Sequence, residues 1–377
     1  MLYKNFNLLK KIIFLLFLFL SSFKMEAQGG AAGFKNDQNF FFVYNNNQIS
    51  KLEFINIESF WTGRDYITYI DNFGNFKLYY NSKLYTIFPI RPTSIKVSNY
   101  LMAYTQGGQL GVFNGKASKK VETFTQGDFK LGDSIIAYVD NFGLLKAYVF
   151  DTVVTLMRWH NEPFEIGDNI LAFTYENSGF NALYNKNVIE IDNYLPHNYK
   201  VARNIIAYND YLGNFKVFDH GNIYTLEIYE TPNYEVANEI VTYFNNIGEW
   251  MVFYNGEKSK LLTVKPKKQY LKRNVLAYVD FANRFYVFYK GKLTLLENYE
   301  PARVEIWDDI LVYTDFYGKL WGFVNGEKVP ISDNIVLGWE LQKECVVYYD
   351  LTPAAKTVWH KGKNYIYDPT IDVFNRK

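Results

Sequence analysis

Apolar and polar positions along the chain repeat with a period of about 35 residues. Each repeat is marked by an aromatic residue inside an apolar run, as Tyr208 lies inside residues 205–210. Similar runs carry their aromatic residue at Tyr69, Tyr104, Tyr138, Phe173, Tyr243, Tyr278, Tyr313 and Tyr348. Successive markers are 35 residues apart, with a single step of 34. This regularity indicates one supersecondary unit that is copied along the whole chain.

The unit that begins at Tyr234 can be divided into four short strands. Residues 234–236 predict the first strand, and residues 239–244 are apolar throughout, as in a strand buried on both faces. Residues 249–254 and 259–264 predict the third and fourth strands. Turn residues separate the second, third and fourth strands, and Asn-Gly in the last turn is a strong hairpin signal. Four antiparallel strands joined in this way are the blade of a β-propeller.

The turn between the second and third strands follows an Asp-x-x-Gly pattern in several units. The Asp side chain can accept hydrogen bonds from the backbone ahead of it, and Gly tolerates a positive φ. The pairs are Asp71 and Gly74, Asp140 and Gly143, Asp210 and Gly213, and Asp315 and Gly318. A ring of carboxylates that binds cations is the alternative interpretation, with Asp280 and Asp350 as further members. Turn chemistry explains Asp and Gly together, so the sequence favours a structural role.

These patterns predict an all-β fold, a closed β-propeller of about nine short four-stranded blades. The N-terminal run of residues 39–54 looks like a partial unit. We therefore expect it to pair with a strand from residues 345–374, which would join the two ends of the ring. An open β-solenoid is the alternative architecture.

The first 27 residues predict a cleaved signal peptide. Three lysines precede a short apolar run, and the small residue Ala27 stands before the predicted cut. Residues 28–377 then form a single propeller domain, which we expect in the periplasm, with surface display or secretion less favoured.

Composition argues against several classes of function. Residues 28–377 carry 36 Lys and Arg and 38 Asp and Glu, so there is no basic excess to bind nucleic acid or an anionic membrane. The single cysteine, Cys345, lies in an apolar strand-like run and is predicted to be buried. The four histidines are scattered, and no metal or phosphate motif is present. The sequence therefore predicts no catalytic residue, metal or cofactor.

The compact 35-residue unit resembles the repeats of bacterial β-propellers. Residues 318–331, Gly-Lys-Leu-Trp-Gly-Phe-Val-Asn-Gly-Glu-Lys-Val-Pro-Ile, also resemble a WG-type β-repeat. The Ala-Gln pair at the predicted cut and the bias toward Tyr, Asn and Lys resemble exported proteins of Bacteroidota-type bacteria. In general character the chain is similar to periplasmic plug subunits of the type 9 secretion translocon, and this similarity implies a role in protein secretion.

Our functional expectation is a non-enzymatic scaffold that binds a protein partner in the cell envelope. The narrower expectation is a plug or accessory subunit of a secretion or envelope complex. Arg158, Trp159 and His160 lie in an irregular connector and are the candidate contact residues, because Trp and Arg are enriched in binding hot spots. The alternative function is carbohydrate binding or glycan hydrolysis, which would require a pair of carboxylates placed across a sugar.

Overall fold

The computed structural model describes residues 29–158, 163–175, 179–350, 355–367 and 369. Its strands form successive antiparallel meanders that follow one another in chain order. Within these residues, no helix has the length and apolar character needed to cross a membrane. The predicted signal peptide, residues 1–27, lies outside the described residues.

The strands group into ten blades. The first five blades contain β1 (Ala31–Lys35), β2 (Phe41–Asn45) and β3 (Gln48–Glu53); β4 (Ser59–Thr62), β5 (Tyr66–Ile70), β6 (Phe76–Tyr80) and β7 (Lys83–Phe88); β8 (Ser94–Val97), β9 (Met102–Gln106), β10 (Gln109–Phe113) and β11 (Ser118–Glu122); β12 (Thr125–Leu131), β13 (Ile135–Asp140), β14 (Leu144–Val149) and β15 (Thr152–Arg158); and β16 (Phe164–Ile166), β17 (Ile170–Tyr175), β18 (Gly179–Tyr184) and β19 (Asn187–Asp192). The next three contain β20 (Asn198–Ala202), β21 (Ile205–Asn209), β22 (Phe215–Asp219) and β23 (Asn222–Glu227); β24 (Tyr234–Ala237), β25 (Ile240–Phe244), β26 (Trp250–Tyr254) and β27 (Glu257–Leu262); and β28 (Lys268–Lys272), β29 (Val275–Val279), β30 (Phe285–Tyr289) and β31 (Lys292–Glu297). The last two contain β32 (Arg303–Trp307), β33 (Ile310–Thr314), β34 (Lys319–Val324), β35 (Glu327–Gln342), β36 (Cys345–Asp350), β37 (Lys356–His360) and β38 (Lys363–Tyr367). The long strand β35 joins blades nine and ten into one seven-stranded sheet.

The core of each blade is its second strand. These strands are buried along nearly their whole length, as β5, β21 and β29 show. Small residues just before the aromatic marker, such as Ala137 and Ala207, are fully buried. Their size allows neighbouring sheets to approach closely. The first strands of neighbouring blades contact one another around most of the array. They therefore form the inner edge, and the exposed fourth strands form the outer edge.

The count of nine blades was one too low. The uncounted unit is blade one, which the sequence indicated only as a partial unit over residues 39–54 and whose first described strand, β1, contains Phe34. Phe34 lies 35 residues before Tyr69, so it continues the aromatic marker to a tenth copy. The unit was hard to recognise because its sheet has only three strands among the described residues, and Gly and Ala surround the marker.

The predicted pairing of residues 39–54 with a strand from residues 345–374 was wrong. Residues 41–53 pair instead within their own sheet, β1–β2–β3. Blades one and ten nevertheless lie side by side. The Gly33 backbone and the Gln342 side chain exchange two hydrogen bonds of 2.8 and 2.9 Å. Side-chain packing around buried Cys345 completes this contact, and no ladder is shared between the described parts of the two blades.

The repeated tyrosines also connect neighbouring blades. Tyr69 donates a hydrogen bond to Glu53 of the preceding blade at 2.7 Å, and Tyr313 donates to Glu297 at 2.6 Å. Burial, together with the adjacent carboxylate, raises the pKa of each phenol. The marker residue thus fills the core with its ring and bonds to the neighbouring blade with its hydroxyl.

Candidate functional site

The two faces of the array carry different turns. In a four-stranded meander the first and third turns lie at one end of the sheet, and the second turn lies at the other end with the connector to the next blade. Contacts between turns and connectors agree with this, since the Tyr194 and Tyr211 rings stack at 5.3 Å. We call the face of the first turns the axial face and the face of the second turns the crown face.

The Asp-x-x-Gly turns lie on the crown face. In Asp140, Oδ1 accepts hydrogen bonds from the Phe142 and Leu144 amides, each at 2.9 Å, and Oδ2 pairs with Lys146 at 2.8 Å. Gly143 has a φ of 75°. The same backbone arrangement occurs at Asp71 with Gly74, Asp210 with Gly213, and Asp315 with Gly318. Each of these carboxylates is therefore engaged in its own turn.

We expect Asp140→Ala to lower the free energy of unfolding by about 1–3 kcal/mol, since buried amides and Lys146 would lose an acceptor. This exceeds the cost of one lost hydrogen bond, because the Asp140 side chain is 1% exposed and serves three donors. Urea denaturation would measure the loss. Asp140→Asn, which keeps an acceptor oxygen, should lose less. Equal losses for the two variants would contradict this account of the turn.

The connector residues singled out in the sequence are only partly within the described chain. Arg158 ends β15, where it is exposed and lies opposite Leu144. Trp159 and His160 lie outside the described residues. Asp350, the sixth repeated Asp, accepts a hydrogen bond from Asn334 at 3.0 Å. Asp280 forms the same turn as its counterparts and pairs with Arg284 at 2.7 Å.

A second ring of polar residues, absent from the sequence-based site list, lies in the first turns. Its members stand five residues before the aromatic marker of each blade from two to ten. They are Arg64, Asn99, Asp133, Asp168, Arg203, Asn238, Arg273, Asp308 and Lys343. We call this set the axial ring. Its constant spacing was visible in the sequence, but its residues are positive, negative or neutral in no regular order and so do not look like a repeat.

Members of the axial ring reach one another across the array. Arg273 pairs with Asp133 at 2.9 Å and with Asp168 at 2.5 Å, although these residues belong to blades eight, four and five. Arg203 reaches both carboxylates at 3.1 Å. Asn99 of blade three donates to Asp308 of blade nine at 2.7 Å. The first turns therefore converge on one buried network at the axial face.

Glycines allow the first turns to approach this closely. A Cβ atom at Gly132 would lie 2.1 Å from the Gly167 carbonyl oxygen, and one at Gly167 would lie 2.2 Å from the Ala202 carbonyl oxygen. Neither position can therefore accept a side chain without moving backbone. The charged residue that follows each glycine, Asp133 or Asp168, is held beside its neighbours by this close packing.

Trp307 lies beside the network with three cations near its ring. Lys343 Nζ is 3.7 Å from the ring centroid, Arg273 Cζ is 4.6 Å away, and Lys272 Nζ is 4.9 Å away. The indole nitrogen donates to Asn99 at 2.9 Å, which fixes the ring. The Arg273 guanidinium has carboxylate partners. The ammonium groups of Lys343 and Lys272, in contrast, form no hydrogen bond or ion pair with the described residues.

Burial shifts the pKa values of two side chains in this network. Burial, followed by the carboxylate of Asp133, raises the pKa of Asp168 above its ordinary value. Burial, with Arg273 nearby, lowers the pKa of Lys343 to about 8. Within the described residues, no group of three or more His, Cys, Asp or Glu side chains is arranged to hold a metal ion. The axial ring can bind a charged group and stabilise the first turns through its ion pairs.

The crown face carries a ring of exposed apolar side chains at the tips of the second turns. They are 69–80% exposed and comprise Phe73, Phe142, Leu212, Ile247, Phe281 and Phe316, which we call the apolar crown. Scattered exposed apolar residues are normal on a protein surface. Six at the tip of the second turn in six blades, three or four residues after the aromatic marker, form a pattern, and an Asp or, in one blade, Asn245 accepts backbone amides in each of these turns. None of these side chains was among the candidate contact residues derived from the sequence.

Comparisons with known proteins agree with the observed architecture. A family model described as a 10-bladed β-propeller domain matches residues 25–365. No curated protein matches the chain. Among solved structures, BamB from Moraxella catarrhalis is 10% identical, with a TM-score of 0.31, and the match covers 75% of this chain and 93% of that one.

Two further structures show the same general likeness. The CRINKLY WD40 ectodomain of the Arabidopsis thaliana receptor kinase ACR4 is 6% identical, with a TM-score of 0.33, and the match covers 62% of this chain and 93% of that one. The computationally designed Ika8 protein is 16% identical, with a TM-score of 0.29, and the match covers 63% and 85%. TM-scores of this size are too low for an argument about function.

Proposed function

Since the chain belongs to the 10-bladed β-propeller domain family, we propose that it is a non-enzymatic scaffold that binds a protein partner through the apolar crown. The observation that carries the proposal is the recurrence of exposed apolar side chains at the tip of the second turn in six blades. Large aromatic side chains on rigid supports are the usual energetic centres of protein interfaces.

The turn geometry supports binding because hydrogen bonds already hold these turns in place, so little conformational entropy is lost when a partner binds. In each Asp-x-x-Gly turn, the carboxylate accepts hydrogen bonds from the backbone amides two and four residues further along, as Asp71 and Asp315 do. Phe73 and Phe316 at those tips are each 77% exposed. A partner that covers such tips buries apolar area while ordering few flexible loops.

The carboxylates of the described chain support a non-enzymatic role. A glycan hydrolase needs two carboxyl groups that are free to act as acid and as base or nucleophile. Asp133 and Asp168 on the axial face are each paired with both Arg203 and Arg273. The repeated Asp residues on the crown face accept hydrogen bonds within their own turns, so they are not free to act in glycan hydrolysis. Protein binding is therefore the favoured function.

The proposal places the protein in the periplasm, with its partner in the cell envelope. The basic, apolar and small-residue order of residues 1–27 supports export, because it has the three parts of a cleaved signal peptide. The partner would belong to a secretion or envelope assembly, where this chain acts as a plug or accessory subunit. Arg158, Trp159 and His160 remain candidates for a secondary contact.

The test replaces four crown residues together, Phe73, Phe142, Phe281 and Phe316, each by Ser. The exposed positions should leave the melting temperature within a few degrees, and binding to the partner recovered by native affinity purification should fall at least tenfold. The matched control places Ser at four exposed apolar positions of the outer strands, Leu84, Val188, Ile223 and Leu293, which are 42–51% exposed. Equal recovery of the partner by the crown variant and the control would overturn the proposal.

Carbohydrate binding is the second candidate, and one observation favours it. Tyr194 and Tyr211 stack on each other on the crown face and are 62% and 61% exposed, a geometry that suits sugar rings. Binding to a glycan array that is lost in Tyr211→Ala, with partner binding unchanged, would favour this candidate over the scaffold.

A further inference from the structure

We propose that the axial face holds a binding site for a carboxylate group, formed by Lys343, Lys272 and Trp307 at the end of a cavity along the inner strands. This site is on the opposite face from the apolar crown and does not depend on the proposed partner. The ligand class is an organic monocarboxylate with an apolar body, either a free acid or the C-terminus of a peptide.

The first observation is an ammonium group without a direct carboxylate partner among the described residues. Lys343 is only 8% exposed, and it forms no hydrogen bond or ion pair with the described residues. Its ammonium group contacts the Trp307 ring instead. Charged groups that are almost fully buried are normally paired. A carboxylate from a ligand would supply the missing partner.

The second observation is a cluster of three cations around the Trp307 ring. Arg273, Lys343 and Lys272 all lie within 4.9 Å of its ring. The carboxylates of Asp133 and Asp168 are already shared between Arg203 and Arg273. Asp308 accepts from Asn99 and lies 3.9 Å from Arg273. The like charges of the two lysines, both close to this ring, therefore repel each other, and an anion beside them would relieve this repulsion.

The third observation is a cavity that reaches the same tryptophan. It has a volume of about 410 Å³ and is bordered by the inner strands of blades seven to ten. Lys272 and Trp307 form its charged end, while Tyr270, Ile306 and Leu341 provide apolar wall. This volume lies within the range of small-molecule pockets. The cavity can hold the body of a ligand whose carboxylate lies at the end formed by Lys272 and Trp307, next to the ring that Lys343 contacts.

The remaining charges of the cavity select for a single negative charge. Glu235 and Glu305 also line it, with Glu235 accepting from Gln269 and Glu305 accepting from the Leu341 amide. A second carboxylate or a phosphate in the body of the ligand would meet these acidic side chains. The geometry thus favours a monocarboxylate over a dianion such as inorganic phosphate.

The direct test is isothermal titration calorimetry of the full-length protein with benzoate, hexanoate and inorganic phosphate, and with benzamide as the uncharged match of benzoate. We expect a carboxylate to bind at least tenfold more tightly than benzamide and than phosphate. Lys343→Met should reduce that binding at least tenfold, and Lys343→Arg should restore part of it. Lys290→Met, in an exposed turn, is the control and should bind as the native protein does.

A second arm separates the two sources of the carboxylate. A tetrapeptide with a free C-terminus is compared with its C-terminal amide, and binding of the free form alone would identify a protein terminus as the ligand. Binding of benzoate or hexanoate alone would identify a free acid. Equal binding of each acid and its amide, full binding by Lys343→Met, or no binding of any carboxylate would overturn the proposal. Tighter binding of phosphate would overturn the assignment to a carboxylate.

Discussion

Arg273→Met should lower the free energy of unfolding by about 3–5 kcal/mol, the cost of leaving buried charges without their partner. Arg273 is the cation that Asp133 and Asp168 both contact, at 2.9 and 2.5 Å. These carboxylates are 5% and 12% exposed, so water cannot replace the lost guanidinium. Among the described residues, Arg203 would remain as their arginine partner. Urea denaturation at neutral pH measures the loss.

The control for this prediction is Arg91→Met. Arg91 is 62% exposed and pairs with Glu58 on the surface, so its loss should cost less than about 1 kcal/mol. The double variant Arg273→Met with Asp168→Asn should recover part of the stability, since it removes one uncompensated charge. A loss below about 1 kcal/mol for Arg273→Met would show that the network does not hold the first turns together.

The sequence predicted the parts of the fold that depend on local chemistry. The aromatic marker located the second strand of blades two to ten, and the Asp-x-x-Gly pattern located the turn after it in four of them. Both follow from interactions within about 35 residues, which the repeat makes visible. The N-terminal unit was recognised only as a partial unit. Phe34 is followed by a hairpin, but among the described residues no first strand precedes it.

The axial ring could not be derived in the same way, because its contacts are not local. Asn99 and Asp308 are 209 residues apart in the chain but meet through a hydrogen bond. Which charges meet depends on how ten blades bring their first turns together, and a period of 35 residues does not specify that. The signal that was available is the constant offset of five residues before the marker, at which every position from Arg64 to Lys343 is charged or Asn.

The apolar crown shows a different limit of sequence reasoning. Phe73 and Phe76 are three residues apart, yet Phe73 is 77% exposed and Phe76 is fully buried. Both are phenylalanines, so residue type alone would assign both to the core. The difference arises because Asp71 accepts the Phe73 and Asn75 amides, which places Phe73 at the tip of the turn and Phe76 at the start of the next strand.

Lys343→Met should raise the stability of the ligand-free protein at pH 7 by about 1–3 kcal/mol, because it removes an uncompensated buried charge. Burial comes first among the causes that lower the pKa of Lys343 to about 8, and Arg273 and Lys272 lower it further. Asp133 and Asp308 act in the opposite direction but do not offset the burial. A lysine that destabilises the empty fold is consistent with a residue retained for binding.

The same substitution should change how stability depends on pH. Because the pKa of Lys343 in the folded state, about 8, is below its ordinary value of 10.5, its stability contribution is fully present above pH 10.5 and is lost as the pH falls through about 8. From pH 7 to about pH 9.5 the native protein should therefore gain about 2 kcal/mol relative to Lys343→Met. The difference between the two proteins cancels the titration of the buried tyrosines. Parallel stability curves over this range would show that Lys343 keeps its ordinary protonation, and would remove the argument that its ammonium group lacks a partner.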